Sequence, residues 1–534
     1  MTNTPANDGF GTISVAAILA ESAARTPEAT ALIVGDEETS YGDLWDQTRA
    51  YAGALRDRGI EPGDPVAILI PNVADFARAY YAVLALGGIV VPVHALLKAH
   101  EIEYALRDSG ARLLICAAPL LREGAAGAAA AGVDVLTVLA PEGAESFARL
   151  ETEAAEATPI RSYVPCRPGD TATILYTSGT TGKPKGALGT HFALVEQVHV
   201  LLTSTFDLRR GDMVFGGLPL FHTFGQTCVL NAGLRAGATV VLLPKFSGDA
   251  ALDLLRTHDI SVFFGVPTMY VALLEAAKTC SDVPQRLRYG VSGGASLPVA
   301  VMEKFRQVFG ADIYEGYGLT ETSPAASFNH VGTTPRPGTI GTPLWGVEVE
   351  VARPEITQAI ELLPRGELGE LVIRGHNVFK GYLNRPEATA EAMVEGWFRT
   401  GDLGVKDEDG YLRILDRKKE MIIRNGYNVY PREIEETLNQ HPDVVSAAVF
   451  GVPHEAHGQE VAAAIVTDPG STTTAEELVA YAKERLAAYK YPRVIELLPE
   501  LPLGPSGKIL KRELSARYAE HFTNPASAPK RVAE

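Results

Sequence analysis

Between positions 176 and 186 the chain reads YTSGTTGKPKG, a run of hydroxyls, glycines and lysines with no large apolar side chain after Tyr176. Gly179 and its neighbouring glycines let the main chain approach a ligand and turn N–H groups toward it. The hydroxyls of Thr177, Ser178, Thr180 and Thr181, with the ammonium of Lys183 or Lys185, add donors suited to phosphate oxygens. A Walker A loop is the obvious competitor. It requires GxxxxGK[ST] running into a helix, whereas here Pro184 follows Lys183 and Thr177 stands five places before Gly182. The flanks DTATILYT and KGALGTH read as strands, so the segment is expected to be a phosphate-binding loop between two strands.

Other candidates say less when taken singly. Lys508 reads as a solvated loop lysine, Glu321 as a helix-start acid, Tyr317 as a core aromatic, and Asp402 as a turn or N-cap residue. His222, among the aromatics of FHTFG, reads as a half-buried histidine. Cys116, Cys166, Cys228 and Cys280 are dispersed, with no CxxC and no metal-ligand spacing, which argues against a disulfide framework or a zinc site.

Together the motifs carry more. YTSGTTGKPKG is followed in order by LPLFHTFG (218–225), SGGASLP (292–298), EGYGLTE (315–321), FRTGDLG (398–404), DRKKEMIIRNGYNVYPREIE (416–435) and LPLGPSGKILKREL (501–514). Over nearly its whole length the chain resembles the adenylate-forming superfamily of acyl-CoA synthetases, luciferases and peptide-synthetase adenylation domains. The resemblance implies an α/β fold, with a large N-terminal domain (1–417) of two mostly parallel helix-covered sheets and a β-rich sub-domain. A small mobile α+β C-terminal domain (418–534) completes it.

The chemistry implied has two steps. A carboxylate is a poor acylating agent, so it first attacks the α-phosphorus of ATP and becomes an acyl-adenylate. The acid is already ionised at neutral pH, so the step needs charge neutralisation rather than a base. By resemblance, Glu321 is the Mg²⁺ ligand, Thr320 an α-phosphate contact and Tyr317 the ring stacked on adenine. Asp402 takes the ribose hydroxyls with Arg417 assisting, and Gly294, Ala295 and Gly318 complete the nucleotide site with residues 177–181 and Lys185. Lys508 is the lysine that the C-terminal domain brings to the α-phosphate. His222, Val266, Met269, Gly293, Gly316 and Leu319 are the expected acyl pocket, with His222 between it and the CoA site.

A thiol must then attack the adenylate from the side Lys508 occupies, so a hinge is expected; Lys419 falls where relatives place it, and Gly426 where a pantetheine arm passes. Little chain follows Lys508, so the acceptor is expected in trans, most simply free coenzyme A. The wording looks most like bacterial medium- to long-chain fatty acid–CoA ligases. An aryl-acid or dicarboxylate ligase, or a stand-alone enzyme loading a carrier protein, keeps every nucleotide motif. Arg288 could read a second carboxylate, and Cys228 and Cys280 are expected to serve packing rather than covalent catalysis.

The elements that must hold these residues are also legible. VAILI (66–70), GIVVPV (88–93), RLLIC (112–116), TVVLL (239–243), SVFFGVP (261–267) and LRYGVSGG (287–294) alternate with helical sequence, which predicts parallel sheets covered by helices. After about residue 335 shorter alternating strands suggest an antiparallel sub-domain. The alanine-rich stretch 117–132 reads as a surface helix with a loop, and the last dozen residues as a disordered tail.

Composition sets the outer limits. The 534 residues exceed a single typical domain, and the formal charge of −17 disfavours nucleic acid or an anionic membrane as partner. No apolar run reaches the ~18 residues of a membrane span, and the N-terminus lacks a basic leader. A cytoplasmic monomer or homodimer handling small molecules is expected.

Overall fold

The structure, a computed structural model, describes residues 11–140, 147–177, 184–425, 427–454, 457–504 and 508–523. The short apolar runs form the interior strands of two large sheets. One sheet has six strands, in the order Asp134–Val138, Leu113–Ala117, Pro65–Leu69, Ile89–Pro92, Thr171–Thr177 and Lys185–Thr190. All its pairs are parallel except the last, which joins the two flanks of the glycine-rich loop as an antiparallel hairpin. The second has nine strands, and its parallel centre runs Asp312–Tyr317, Tyr289–Ser292, Val262–Gly265, Met213–Gly216, Thr239–Leu242 and Thr30–Val34. Strands such as Leu113–Ala117 and Val262–Gly265 are buried at every position, as helix cover on both faces requires. Phe215 stacks on Phe263 at 4.4 Å in the shared core.

The alanine-rich stretch is a surface helix, as expected, with Arg122, Ala126, Ala129 and Ala130 exposed and one face buried. It forms a helix over Leu121–Ala131 whose glycine face is pressed into the sheet: a Cβ on Gly124 would lie 2.6 Å from the sulfur of Cys116. Small residues there permit close helix-on-sheet packing, so low complexity marks a buried face and not a loose one.

A five-stranded antiparallel sheet follows, built from Val347–Ala352, Gly369–Gly375, Met393–Val394, Trp397–Lys406 and Leu412–Arg417. The chain then turns tightly, with the N–H groups of Glu420 and Met421 both donating to the Arg417 carbonyl. From Ile422 it enters a separate sheet with a core of its own, including Ile422, Val429, Ile434, Leu438, Val449 and Ile465. Among the described residues, Lys278 meets Asp468 at 3.0 Å, both about two-fifths exposed, and Arg432 donates its main-chain N–H to Asp416 and its guanidinium to the Ile414 carbonyl, at 3.3 Å each. Burial raises the Asp416 carboxyl to about 6, opposed by nearby Lys511. Among the described residues no helix is long and apolar enough to cross a membrane.

Candidate active site

One cavity of about 1340 Å³ lies where the two large sheets, the antiparallel sheet and the C-terminal part converge. Its polar end is built by three turns. The strand Asp312–Tyr317 delivers Tyr317, and the chain behind it is so tight that a Cβ on Gly318 would fall 1.7 Å from the Pro324 carbonyl oxygen. Tyr317 donates to Asp402 at 2.6 Å, and the Arg417 guanidinium lies 3.1 Å from the other Asp402 oxygen. Burial, then the Asp402 charge, pushes the Tyr317 hydroxyl far above its ordinary value, and Asp402 holds Arg417 charged.

The TGD turn carrying Asp402 is itself pinned. Buried Glu370 pairs with Arg399 at 2.6 Å and accepts the Gly401 N–H at 3.0 Å, while Thr400 donates to the Leu371 carbonyl. An aspartate with two fixed oxygens is thus presented to a diol, with acceptor capacity left over.

The third turn joins the phosphate hairpin to Glu321. Residues 380–383 bond along the strand Lys185–Thr190, with Leu383 N–H to Gly186 and Leu188 N–H to Gly381. This brings Tyr382 over the site, where it donates to Glu321 at 2.7 Å and lies 5.1 Å from the Lys185 ammonium. Tyr382 and the Glu370–Arg399 pair escaped the sequence reading. Tyr382 belongs to RGHNVFKGYLNRPEAT, a run whose glycine and aromatics mark it as a close-packed turn. Thr177, Lys185, Gly293, Gly294, Gly316, Tyr317, Gly318, Leu319, Thr320, Glu321, Asp402, Arg417 and Lys419 all border the cavity. Ser178, Gly179, Thr180, Thr181 and Gly426 lie outside the described residues.

Lys508 reaches the same cavity from the C-terminal part, its carbonyl accepting the Gly504 N–H. Its Cε is 3.7 Å from where a Cβ on Gly294 would lie. Burial, then the charge of Arg417, lowers its affinity for a proton, and Asp402 and Glu321 partly restore it. A polyanion entering here would favour the charged form. His222 is held by the Phe224 N–H donating to Nδ1 at 3.2 Å, which places its proton on Nε2. Burial, followed by the Lys508 charge, drops it to about 3, so it is a neutral donor. Below the cavity floor, Glu315 is buried and accepts the Leu297 N–H at 3.2 Å; burial raises it to about 7 against the pull of Arg432.

The far end is apolar. Phe206, Phe224, Cys228, Val291, Leu319 and Phe328 line it, and Phe206 meets Phe328 and the core ring Phe264 edge-on at 5.3 Å each. Two expected pocket residues are not in this wall. Pro267 starts a helix that sets the Met269 methyl 3.5 Å from a Cβ built on Gly217, and Val266 lies 3.4 Å from a Cβ built on Gly294 without bordering the cavity. Ala295 is exposed and does not border the cavity. Arg288 is also elsewhere, clamped by Asp207 at 2.8 Å and Asp212 at 2.6 Å, so it reads no substrate carboxylate from there. The Cys228 thiol is pushed up by burial, which suits a wall residue and not a nucleophile.

Comparison with known proteins agrees with this geometry. Residues 19–383 match the AMP-binding enzyme family, and residues 433–508 match the AMP-binding enzyme C-terminal domain. The chain is 34% identical to a long-chain-fatty-acid–CoA ligase of Bacillus subtilis over 94% of both chains. It is 36% identical to a feruloyl-CoA synthase of Amycolatopsis, over 96% of this chain and 99% of that one. The crystal structure of ATP-bound MatB from Rhodopseudomonas palustris superposes with a TM-score of 0.86 at 32% identity, covering 95% of this chain and 99% of MatB. On these matches across nearly whole chains, the protein belongs to the AMP-binding enzyme family, as an AMP-forming acid–CoA ligase of the adenylate-forming superfamily.

Proposed function

We propose that this ligase activates a medium- to long-chain fatty acid with ATP and passes the acyl group to the thiol of free coenzyme A. A carboxylate oxygen attacks the α-phosphorus and pyrophosphate departs with the bonding electrons. The thiol sulfur then attacks the acyl carbonyl, its proton is lost and AMP leaves. Asp402 with Arg417 holds the ribose, Tyr317 stacks on the adenine, and Thr320 with the hydroxyls of residues 177–181 and Lys185 cradles the phosphates. Lys508 balances charge on the transferring phosphoryl group and the incoming carboxylate.

Glu321 fits a divalent metal: a buried carboxylate on the cavity wall, one oxygen oriented by Tyr382. Mg²⁺ bound there supplies charge neutralisation between the two anionic reactants. Lys419, in the turn between the sheets, is the pivot for the domain rotation that frees the thiol path.

The observation that carries the acyl assignment is the uncharged end beyond His222, which suits a monocarboxylic acid with an apolar tail. A second reading, an aryl acid, is favoured by the edge-on rings of Phe206 and Phe328, which can hold an aromatic ring as readily as a chain. Release of AMP and pyrophosphate, measured with coenzyme A across fatty, aromatic and dicarboxylic acids, decides between them. Turnover limited to dicarboxylates, or none with any acid, would overturn the proposal.

A further inference from the structure

Lys511 stands three residues after Lys508 and begins the helix Lys511–Thr523. The loop carrying Lys508 closes just ahead of it, with the Gly504 N–H donating to the Lys508 carbonyl at 2.6 Å and the Leu510 N–H to the Pro502 carbonyl at 2.9 Å. Whatever fixes Lys511 therefore fixes Lys508. The helix is already docked on the C-terminal sheet, because Leu514 and Tyr518 are buried beside Phe450 and the Ser515 hydroxyl donates to the Gly451 carbonyl at 2.7 Å. The Lys511 ammonium makes a different connection. It meets Glu435 of the C-terminal part at 2.7 Å and then Glu420, in the turn around Lys419, at 3.7 Å.

Asp416 and Arg417 precede Lys419 in the chain, and Glu420 and Lys511 follow it, so charges of alternating sign gather across the expected pivot. The turn fixes their spacing, since the Glu420 N–H donates to the Arg417 carbonyl at 2.9 Å and the Arg417 N–H to the Asp416 carboxylate at 2.7 Å. Against burial, Glu435, Glu420 and Asp416 hold the Lys511 ammonium above its ordinary value. Glu420 also supports the charge on Arg417, after Asp402 and against burial, and at Lys508 it works with Asp402 and Glu321 against burial and the Arg417 charge. This matters because Arg417 and Lys508 are like charges held at one cavity, and they repel each other until a polyanion arrives. A carboxylate shared among Arg417, Lys508 and Lys511 offsets that repulsion.

We propose that Glu420 and Lys511 are positioning residues for the first step: their contact completes an alternating set with Asp416 and Arg417 across Lys419 and keeps Lys508 in the cavity while the acid is activated. This rests on the assignment of Lys508 to the first step and of Lys419 to the pivot, and adds the contact that maintains the arrangement. Rotation about Lys419 separates Glu420 and Lys511 from Asp416 and Arg417, so the set parts before the thiol enters. The Glu420 side chain is 38% exposed, so solvent weakens its pull, and the contact tips a balance between arrangements without fixing one permanently.

The test follows each half-reaction separately, with the acid that turns over fastest in the panel above and its adenylate, and reads the arrangement directly. Pyrophosphate exchange into ATP reports the first step, and thioester formation from supplied acyl-adenylate and coenzyme A the second. Spin labels on Arg256→Cys and Glu476→Cys, both exposed positions, in a Cys280→Ser background give the distance between the large and the C-terminal parts of nucleotide-free protein without turnover. Glu420→Gln, a neutral isostere at a partly exposed position, is expected to lower kcat/KM of the first step about fivefold, to leave the second equal or faster, and to shift the label distances toward a second population. Lys511→Met is expected to act in the same direction, and Lys511→Arg to keep the first step within about twofold of wild type. Equal loss of both steps in Glu420→Gln, label distances unchanged by it, or a Lys511→Arg variant as impaired as Lys511→Met overturns the proposal. Absence of pyrophosphate exchange in the wild type with every acid counts against the ligase reading itself, while the label distances still decide this inference.

Discussion

The two ends of the cavity are finished to different degrees. At the nucleotide end, Tyr317, Asp402 and Arg417 form one bonded chain, Glu321 is held by Tyr382, and the TGD turn is fixed by the Glu370–Arg399 pair. At the apolar end the rings of Phe206 and Phe328 are packed, yet the hydroxyls of Thr223 and Ser292 have no partner among the described residues. A cofactor common to a whole superfamily can be met by a site organised before it arrives, and the ordering cost is met during folding. The acid named differs among the relatives, so on the proposed function the apolar end is the part free to vary.

If that contrast is right, substitutions at the organised end should damage turnover with every acid alike. The largest effect is expected for Lys508→Ala. Adenylate formation should fall by about 10²–10³-fold, while thioester formation from supplied acyl-adenylate persists; equal loss of both steps would break the assignment of Lys508 to the first. Glu321→Ala should lower metal-dependent turnover about 10²-fold, tracked as activity against Mg²⁺ concentration, and an unchanged metal titration removes it from the site. Asp402→Asn weakens the acceptor for the ribose and leaves Arg417 without its charge partner. The KM for ATP should rise roughly tenfold or more, with the ranking of acids preserved; a changed ranking would blur the two ends.

The smallest effect concerns Glu315, buried beneath the cavity, whose folded-state value of about 7 exceeds its ordinary 4.5. A raised carboxyl contributes stability that is fully present below the unfolded value and is lost as pH rises through the folded one. Glu315→Gln keeps an acceptor for the Leu297 N–H and removes the ionisation. Its stability, followed by denaturant unfolding, should therefore gain on the wild type between pH 5 and pH 8, by on the order of 2 kcal/mol; a gap that narrows over that range contradicts the assignment.

The same contrast explains what could be read from the sequence. Both phosphate-hairpin strands and six interior strands were legible because buried parallel strands are short apolar runs ending at Gly or Pro. The residues of YGLTE and TGD that border the cavity were legible because a polar ligand site constrains residue type at fixed spacing. The expected acyl wall was legible in part: His222, Gly293, Gly316 and Leu319 border the cavity, whereas Val266 and Met269 do not, the latter because Pro267 begins a helix whose rotation no local pattern fixes, and Arg288 is claimed by Asp207 and Asp212 from a distant segment.

The attachment of the C-terminal part carries a further consequence. An exposed pair such as Lys278–Asp468 is worth roughly 0.2–1 kcal/mol, about the energy of a single thermal kick, and dissolved ions weaken it further. A contact of this grade acts as a clasp and not a weld, and on the proposed function, in which Lys508 serves the first reaction alone, such a clasp lets the lysine be withdrawn. The buffer's ionic strength should then act as a dial on how long Lys508 stays in place.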